Sequence, residues 1–169
     1  MTSATKQIFG LTAAALLLAA CGSEKKQEGV SIDSSGDGVT ATVTDKDGKE
    51  ATVRYGGGDE GIAAPENLPA FAPLYADARI LSAVTGAEGE AKGMVNFRTK
   101  ASMADVIGFY RDKAKAEGLS VEAEVAMGAG RMLALTDKAS GRALQLTVNP
   151  DEAEGGVMVS LVYDGGKAG

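Results

Sequence analysis

Residues 131–148 read Arg-Met-Leu-Ala-Leu-Thr-Asp-Lys-Ala-Ser-Gly-Arg-Ala-Leu-Gln-Leu-Thr-Val, and this stretch decides the fold. Leu133 and Leu135, then Leu144, Leu146 and Val148, fall at every second position. Strand side chains alternate between faces, so this period describes two strands buried on one side only. Asp137–Gly141 between them is turn chemistry, and so short a loop returns the chain antiparallel. The same pattern continues outward into strands at Leu119–Ala126 and Val157–Tyr163, with turns at Met127–Gly130 and Asn149–Gly156. These four strands are expected to form an antiparallel meander.

Upstream, Arg79–Val84 and Gly93–Thr99 read as two more strands around a glycine-bearing loop. Ser102 then stands as a helix N-cap, with Asp105 in a capping-box-like place three residues on. Met103, Val106, Ile107, Tyr110 and Ala114 share one helical stripe, and Gly118 ends the helix. The expected fold class is α+β, an antiparallel sheet in ββα-ββββ order with one helix packed on one face, over residues 78–164. An N-terminal β-hairpin is added at residues 39–58. There a three-residue loop, Lys46-Asp47-Gly48, pairs Val43 with Ala51, Ala41 with Val53 and Val39 with Tyr55. That register puts every apolar residue on one face, whereas a two-residue turn mixes them. Asp45, Asp47 and Glu50 are then turn residues rather than a metal site. Residues 59–77, with Pro65, Pro69 and Pro73, form a connector whose Leu68, Phe71, Leu74 and Tyr75 lie across the core edge. Residues 165–169 are expected to be a disordered tail.

At the other end, Lys6 precedes an apolar run from Ile8 to Leu18, and Leu18-Ala19-Ala20-Cys21 closes it. The run is too short for the roughly 20 residues of a spanning helix, which leaves a signal peptide over residues 1–20. Leu18, Ala19, Ala20 and Cys21 resemble the lipobox of bacterial lipoproteins. The resemblance implies export, cleavage before Cys21, and two or three acyl chains on its sulfur holding the protein to a lipid bilayer. Gly22 in place of an aspartate implies the outer membrane, facing the periplasm. Residues 21–38 are then the lipidated cysteine and a polar, Gly/Ser-rich flexible tether.

The chain carries 23 acidic residues against 17 basic ones, of which only Lys6 lies in the leader. A balance this acidic excludes nucleic acid as a partner, since that needs a basic footprint. Histidine is absent, which closes imidazole chemistry, and the acylation that the resemblance implies for Cys21, the single cysteine, closes zinc and thiol chemistry as well. No catalytic residue, metal or cofactor is assigned. Asp33, Ser35, Asp37 and Gly38 match part of a calcium loop, but Thr44 stands where a bidentate glutamate is required. Gly128-Ala129-Gly130 is a hairpin turn, because a dinucleotide fingerprint needs glycine at 133, where Leu sits. Arg98, Arg111, Arg131 and Arg142 read as separate solvated charges, and Glu122 and Glu124 as a solvated strand face. Phe109 and Tyr110 offer a stacking pair, though the apolar stripe makes Tyr110 core.

Tyr75-x-x-Ala78, Phe97-x-Thr99, Phe109-Tyr110 and Gly118 together resemble uncharacterised envelope lipoprotein domains with a P-x-Y-P-G-A opening and an F-Y-containing helix ending in Gly-Trp. Here Ala76-Asp77 replaces Pro-Gly and Leu119 replaces Trp. The resemblance implies no activity. Val95, Phe97, Val121, Leu133, Leu135, Leu144, Leu146, Val159 and Leu161 are expected to face the helix. The opposite face then presents Met94, Met132, Met158 and Val162, either as a surface for a protein partner or as a patch covered by the hairpin. The function expected is a membrane-anchored periplasmic lipoprotein acting as a non-catalytic binding or envelope-assembly module. The alternatives are a carboxylate-dependent cell-wall or glycan hydrolase, and a purely structural envelope protein.

Overall fold

The computed structural model describes residues 29–35, 38–56, 60–87 and 91–166. In chain order the elements are β1 (Gly29–Ser35), β2 (Gly38–Thr44), β3 (Glu50–Gly56), β4 (Arg79–Thr85), β5 (Lys92–Thr99), α1 (Met103–Ala116), β6 (Ser120–Met127), β7 (Gly130–Asp137), β8 (Arg142–Pro150) and β9 (Val157–Asp164). The nine strands form one sheet in the order β1-β2-β3-β4-β5-β9-β8-β7-β6. Every neighbouring pair is antiparallel.

This overturns the expected architecture of a ββα-ββββ sheet with a separate hairpin. Five strands, not four, precede the helix, and β1–β3 belong to the main sheet, continuing it edge to edge. The joint is β3 on β4, where Thr52, Val53, Arg54 and Tyr55 pair with Thr85, Val84, Ala83 and Ser82. An edge strand presents unpaired backbone N–H and C=O groups, and another strand satisfies them where face-on docking does not. The β2–β3 register itself is Val43 with Ala51, Ala41 with Val53 and Val39 with Tyr55, as the alternation predicts. Gly48 takes φ 72° in the turn, and Asp45 Oδ1 accepts from the backbone N–H of Asp47 and of Lys49.

Strand β1 is the second correction, since it falls inside the stretch read as a tether. Val30 and Ile32 are its only two large apolar residues, too few to stand out among Ser, Asp and Gly. Its pairing with β2 makes the strand: Val30 faces Val43 and Ile32 faces Ala41. The leader at 1–20, Cys21, the residues up to 28 and the last three residues of the expected tail lie outside the described residues.

One face of the sheet is the core. Val95, Phe97, Leu133, Leu135, Leu144, Leu146, Val159 and Leu161 point to it and are all buried. Helix α1 lies across β6, β7 and β8 and presses Val106, Ile107, Tyr110 and Ala114 onto that face. The connector packs on the same core: Phe71 and Ala72 are buried, and Leu68, Leu74 and Tyr75 are half-buried against it. Tyr75 meets Phe109 edge-on with ring centres 5.0 Å apart, and Phe109 meets Tyr110 in the same way. Phe109 and Tyr110 are therefore core packing rather than a ligand platform. Val121 lies opposite Leu135 on the expected inward face, but it is exposed because β6 is the edge strand.

Ser102 caps α1 as read, its Oγ accepting from the Asp105 N–H and donating to the Asp105 carboxylate at 2.6 Å. The other end of α1 is held by Arg142, which donates to the Glu117 carbonyl at 2.7 Å and to Asp137 Oδ2 at 2.9 Å. Hydrogen bonds from the Ser140 hydroxyl and Arg142 lower the Asp137 pKa from 3.8 to about 2. A carboxylate depressed by folding stabilises the fold fully above its unfolded value and loses that contribution as pH falls through the folded one. Wild-type melting temperature should therefore drop between about pH 4 and pH 2 more steeply than that of Asp137→Asn. Parallel melting curves for the two proteins would expose this clamp as unimportant.

Candidate functional site

Two surfaces remain after the core is accounted for. The first is an open cleft of about 510 Å³ between β3, β4 and the connector. Thr52 and Arg54 of β3, Ala83 and Thr85 of β4, Pro65-Glu66-Asn67, Lys92 and Tyr163 line it. Strand parity accounts for its polarity. Thr52 and Arg54 alternate with Ala51, Val53 and Tyr55, so the core-side face of β3 is polar just where α1 no longer covers it. Arg54 is half-buried and makes no hydrogen bond or ion pair among the described residues. Lys92 makes a long contact of 3.7 Å to Asp164, both half-exposed. Two cations, one carboxylate and several hydroxyls thus converge on a single cavity. Burial in the cleft wall raises the pKa of Tyr163, so its phenol stays protonated and able to donate.

The second surface is the opposite face of the sheet. The registers place Met94 directly beside Val162, and Val84 beside Met94. Met158 lies instead between Arg98 and Asn149, and Met132 between Val125 and Thr147. The four residues singled out from sequence share the expected face but form no single patch. Met158 and Val162 are exposed, and Met94 and Met132 are half-buried. The hairpin does not cover them. It widens the same face with Val39, Val43 and Tyr55, all exposed, and β1 adds Val30 and Ile32.

Charged side chains expected to be solvated are in fact paired. Arg98 contacts Asp151 at 2.8 Å and Glu154 at 2.5 Å, and Arg79 donates to both oxygens of Glu154. Arg111 and Arg131 share Glu124, at 2.5 Å and 3.4 Å. Sequence separation hides these pairs, since Arg98 and Glu154 meet only through the β5–β9 alignment. Asp77 joins the Arg98 cluster through the Thr99 hydroxyl at 2.5 Å. Three carboxylates therefore gather at one end of the sheet, yet Arg79 holds Glu154 below the usual carboxylate range. Through these ion pairs Arg79 and Arg98 tie the β8–β9 loop to the ends of β4 and β5. No group of three metal-binding side chains occurs among the described residues. Asp33 of the partial calcium motif sits in extended β1, a backbone that cannot wrap a cation. Gly128–Gly130 joins β6 to β7 as a hairpin turn. Among the described residues no helix is long and apolar enough to cross a membrane.

Residues 80–156 are similar to a family described as START domain-like. The START-like segment runs from β4 into the β8–β9 loop and spans less than half of the chain. It holds α1 and most of the core, but Arg54 and all of β1–β3 precede it. The likeness is compatible with a non-catalytic binding role. No curated protein and no solved structure matches the chain.

Sequence reasoning missed the cleft. Arg54 reads as the polar partner of an alternating strand, and its role depends on what β3 lies beside.

Proposed function

We propose that this protein is a non-catalytic binding module, held to the bacterial cell envelope by acyl chains on Cys21, that takes an anion-bearing small molecule in the Arg54 cleft. The observation that carries the binding site is Arg54, a half-buried residue without a partner among the described residues, lining a cavity of about 510 Å³. A guanidinium that no protein anion engages keeps its donors open to an anionic ligand, and such charge-assisted hydrogen bonds are the stronger kind. Thr52, Asn67 and the Tyr163 hydroxyl add neutral donors around the same space. START-like domains are generally ligand-binding rather than catalytic, which supports the same reading. The Leu18-Ala19-Ala20-Cys21 motif supports the anchor and the periplasmic location.

Two substitutions test the halves separately. Arg54→Ala should weaken binding of anilinonaphthalene sulfonate, an anion with an aromatic body, by about tenfold, since a charge-assisted hydrogen bond contributes about 1.5–3 kcal/mol. Unchanged affinity would remove the cleft from consideration. Cys21→Ser should give an uncleaved precursor lacking acyl mass in whole-protein mass spectrometry. A normally processed product that stays with the membrane fraction would refute the anchor.

A further inference from the structure

We infer that the outer face of β1–β3 rests on the lipid surface to which Cys21 is anchored, so that the Arg54 cleft faces away from the membrane. The inference rests on the acylation proposed above.

The outward positions of these three strands are Val30, Ile32 and Ser34, then Val39, Ala41 and Val43, then Ala51, Val53 and Tyr55. None carries a charge, in a chain where charged residues make up 24%. Val30 and Ile32 are 67% and 69% exposed, more than any other large apolar residue among those described. The inward face of the same strands carries Asp33, Glu50, Arg54 and a row of threonines. An antiparallel sheet normally packs its apolar face and wets its polar one, and here the apolar face is the bare one. Something must cover it.

The distance to the anchor selects the bilayer. Eight Cα steps separate Cys21 from Gly29, and these reach at most about 29 Å in any conformation. Strand β1 is therefore kept at the membrane, at high local concentration, whatever the intrinsic strength of its contact. A neutral face also suits an acidic protein, because it brings no carboxylate toward lipid headgroups. Tyr55, with an apolar ring and a polar hydroxyl, is of the kind that settles at a lipid–water interface. A second apolar group, Met132, Val125 and Met127, lies at the β6 edge. Sheets twist by about 20–25° per strand, so over eight strand steps the two groups face different directions and cannot share one flat support. The edge near the anchor is the one that docks.

The chain contains no tryptophan, so one introduced indole reports its own surroundings. The full chain, expressed with its leader and purified as the processed protein, is reconstituted in phosphatidylcholine vesicles containing brominated lipid. Ile32→Trp and Val43→Trp should emit at shorter wavelength and be quenched about twofold or more by the brominated lipid, as an indole at interfacial depth is. Thr42→Trp, on the inward face, should be unquenched. Mass spectrometry of the same samples separates the two ways of failing. An unacylated protein that does not sediment with vesicles overturns the anchor and this placement with it. An acylated, vesicle-bound protein whose Ile32→Trp emission stays water-like leaves the anchor standing and overturns the placement alone. A blue-shifted emission that brominated lipid does not quench, and that depends on protein concentration, assigns the face to a second copy and also overturns it.

Discussion

Phe97→Ala should lower the unfolding free energy by about 3–5 kcal/mol, read from the urea midpoint at unchanged slope. Phe97 is 0% exposed in β5, with Ile80 opposite on β4 and Val159 opposite on β9. Both neighbouring strands are fixed by their backbone ladders and cannot close over the hole, so the cavity term adds to the lost transfer energy. Met158→Ala, one residue from Val159 but on the exposed face, should change stability by less than about 0.5 kcal/mol. Equal losses from the two substitutions would mean that the outer face is packed in solution.

Arg98→Met should cost about 2 kcal/mol, the larger part through Asp151 rather than through the arginine itself. The Asp151 carboxylate is 4% exposed, and Arg98 is the cation beside its Oδ2. Removing one partner of a buried pair leaves the other charge desolvated. Two features keep the loss below the usual range for such a deletion. The Arg98 side chain is 27% exposed, and Asp151 Oδ1 keeps the backbone N–H groups of Ala153 and Glu154. Adding Asp151→Asn to Arg98→Met should therefore recover part of the stability, because an amide oxygen still accepts those two bonds without a charge. A double variant less stable than Arg98→Met alone would show that the carboxylate is not the burdened group. The loop matters because Gly156, at φ 81°, lies so close to β5 that an added Cβ would stand 2.1 Å from the Thr99 carbonyl. The ion cluster and this glycine together fasten the β8–β9 loop to the end of the sheet.

Local chemistry was legible wherever the deciding partners are near in sequence. The β2–β3 register follows from which residues alternate across a three-residue loop, and the Ser102 cap from a hydroxyl three residues before Asp105. The buried sides of β5 and β7–β9 follow from period-two leucines and valines. The ion pairs of Arg98, Arg111 and Arg131 were not legible, because their carboxylates arrive from other strands. Nor was β1, whose two apolar residues form a strand only when β2 offers its edge. The candidate site divides in the same way: the outward methionines share a face by parity alone, whereas the Arg54 cleft exists only where β3 meets β4 beyond the reach of α1.

By itself, then, the sequence determined which residues alternate, where the chain turns, where the helix begins and ends, and that no imidazole or second thiol is present. Tertiary structure decided that the hairpin joins the sheet at its edge instead of covering its face. Alternation states which side of a strand is apolar and is silent on which strand will lie beside it. That choice depends on the hydrogen bonds open at an edge, and here it leaves the apolar face of β1–β3 bare.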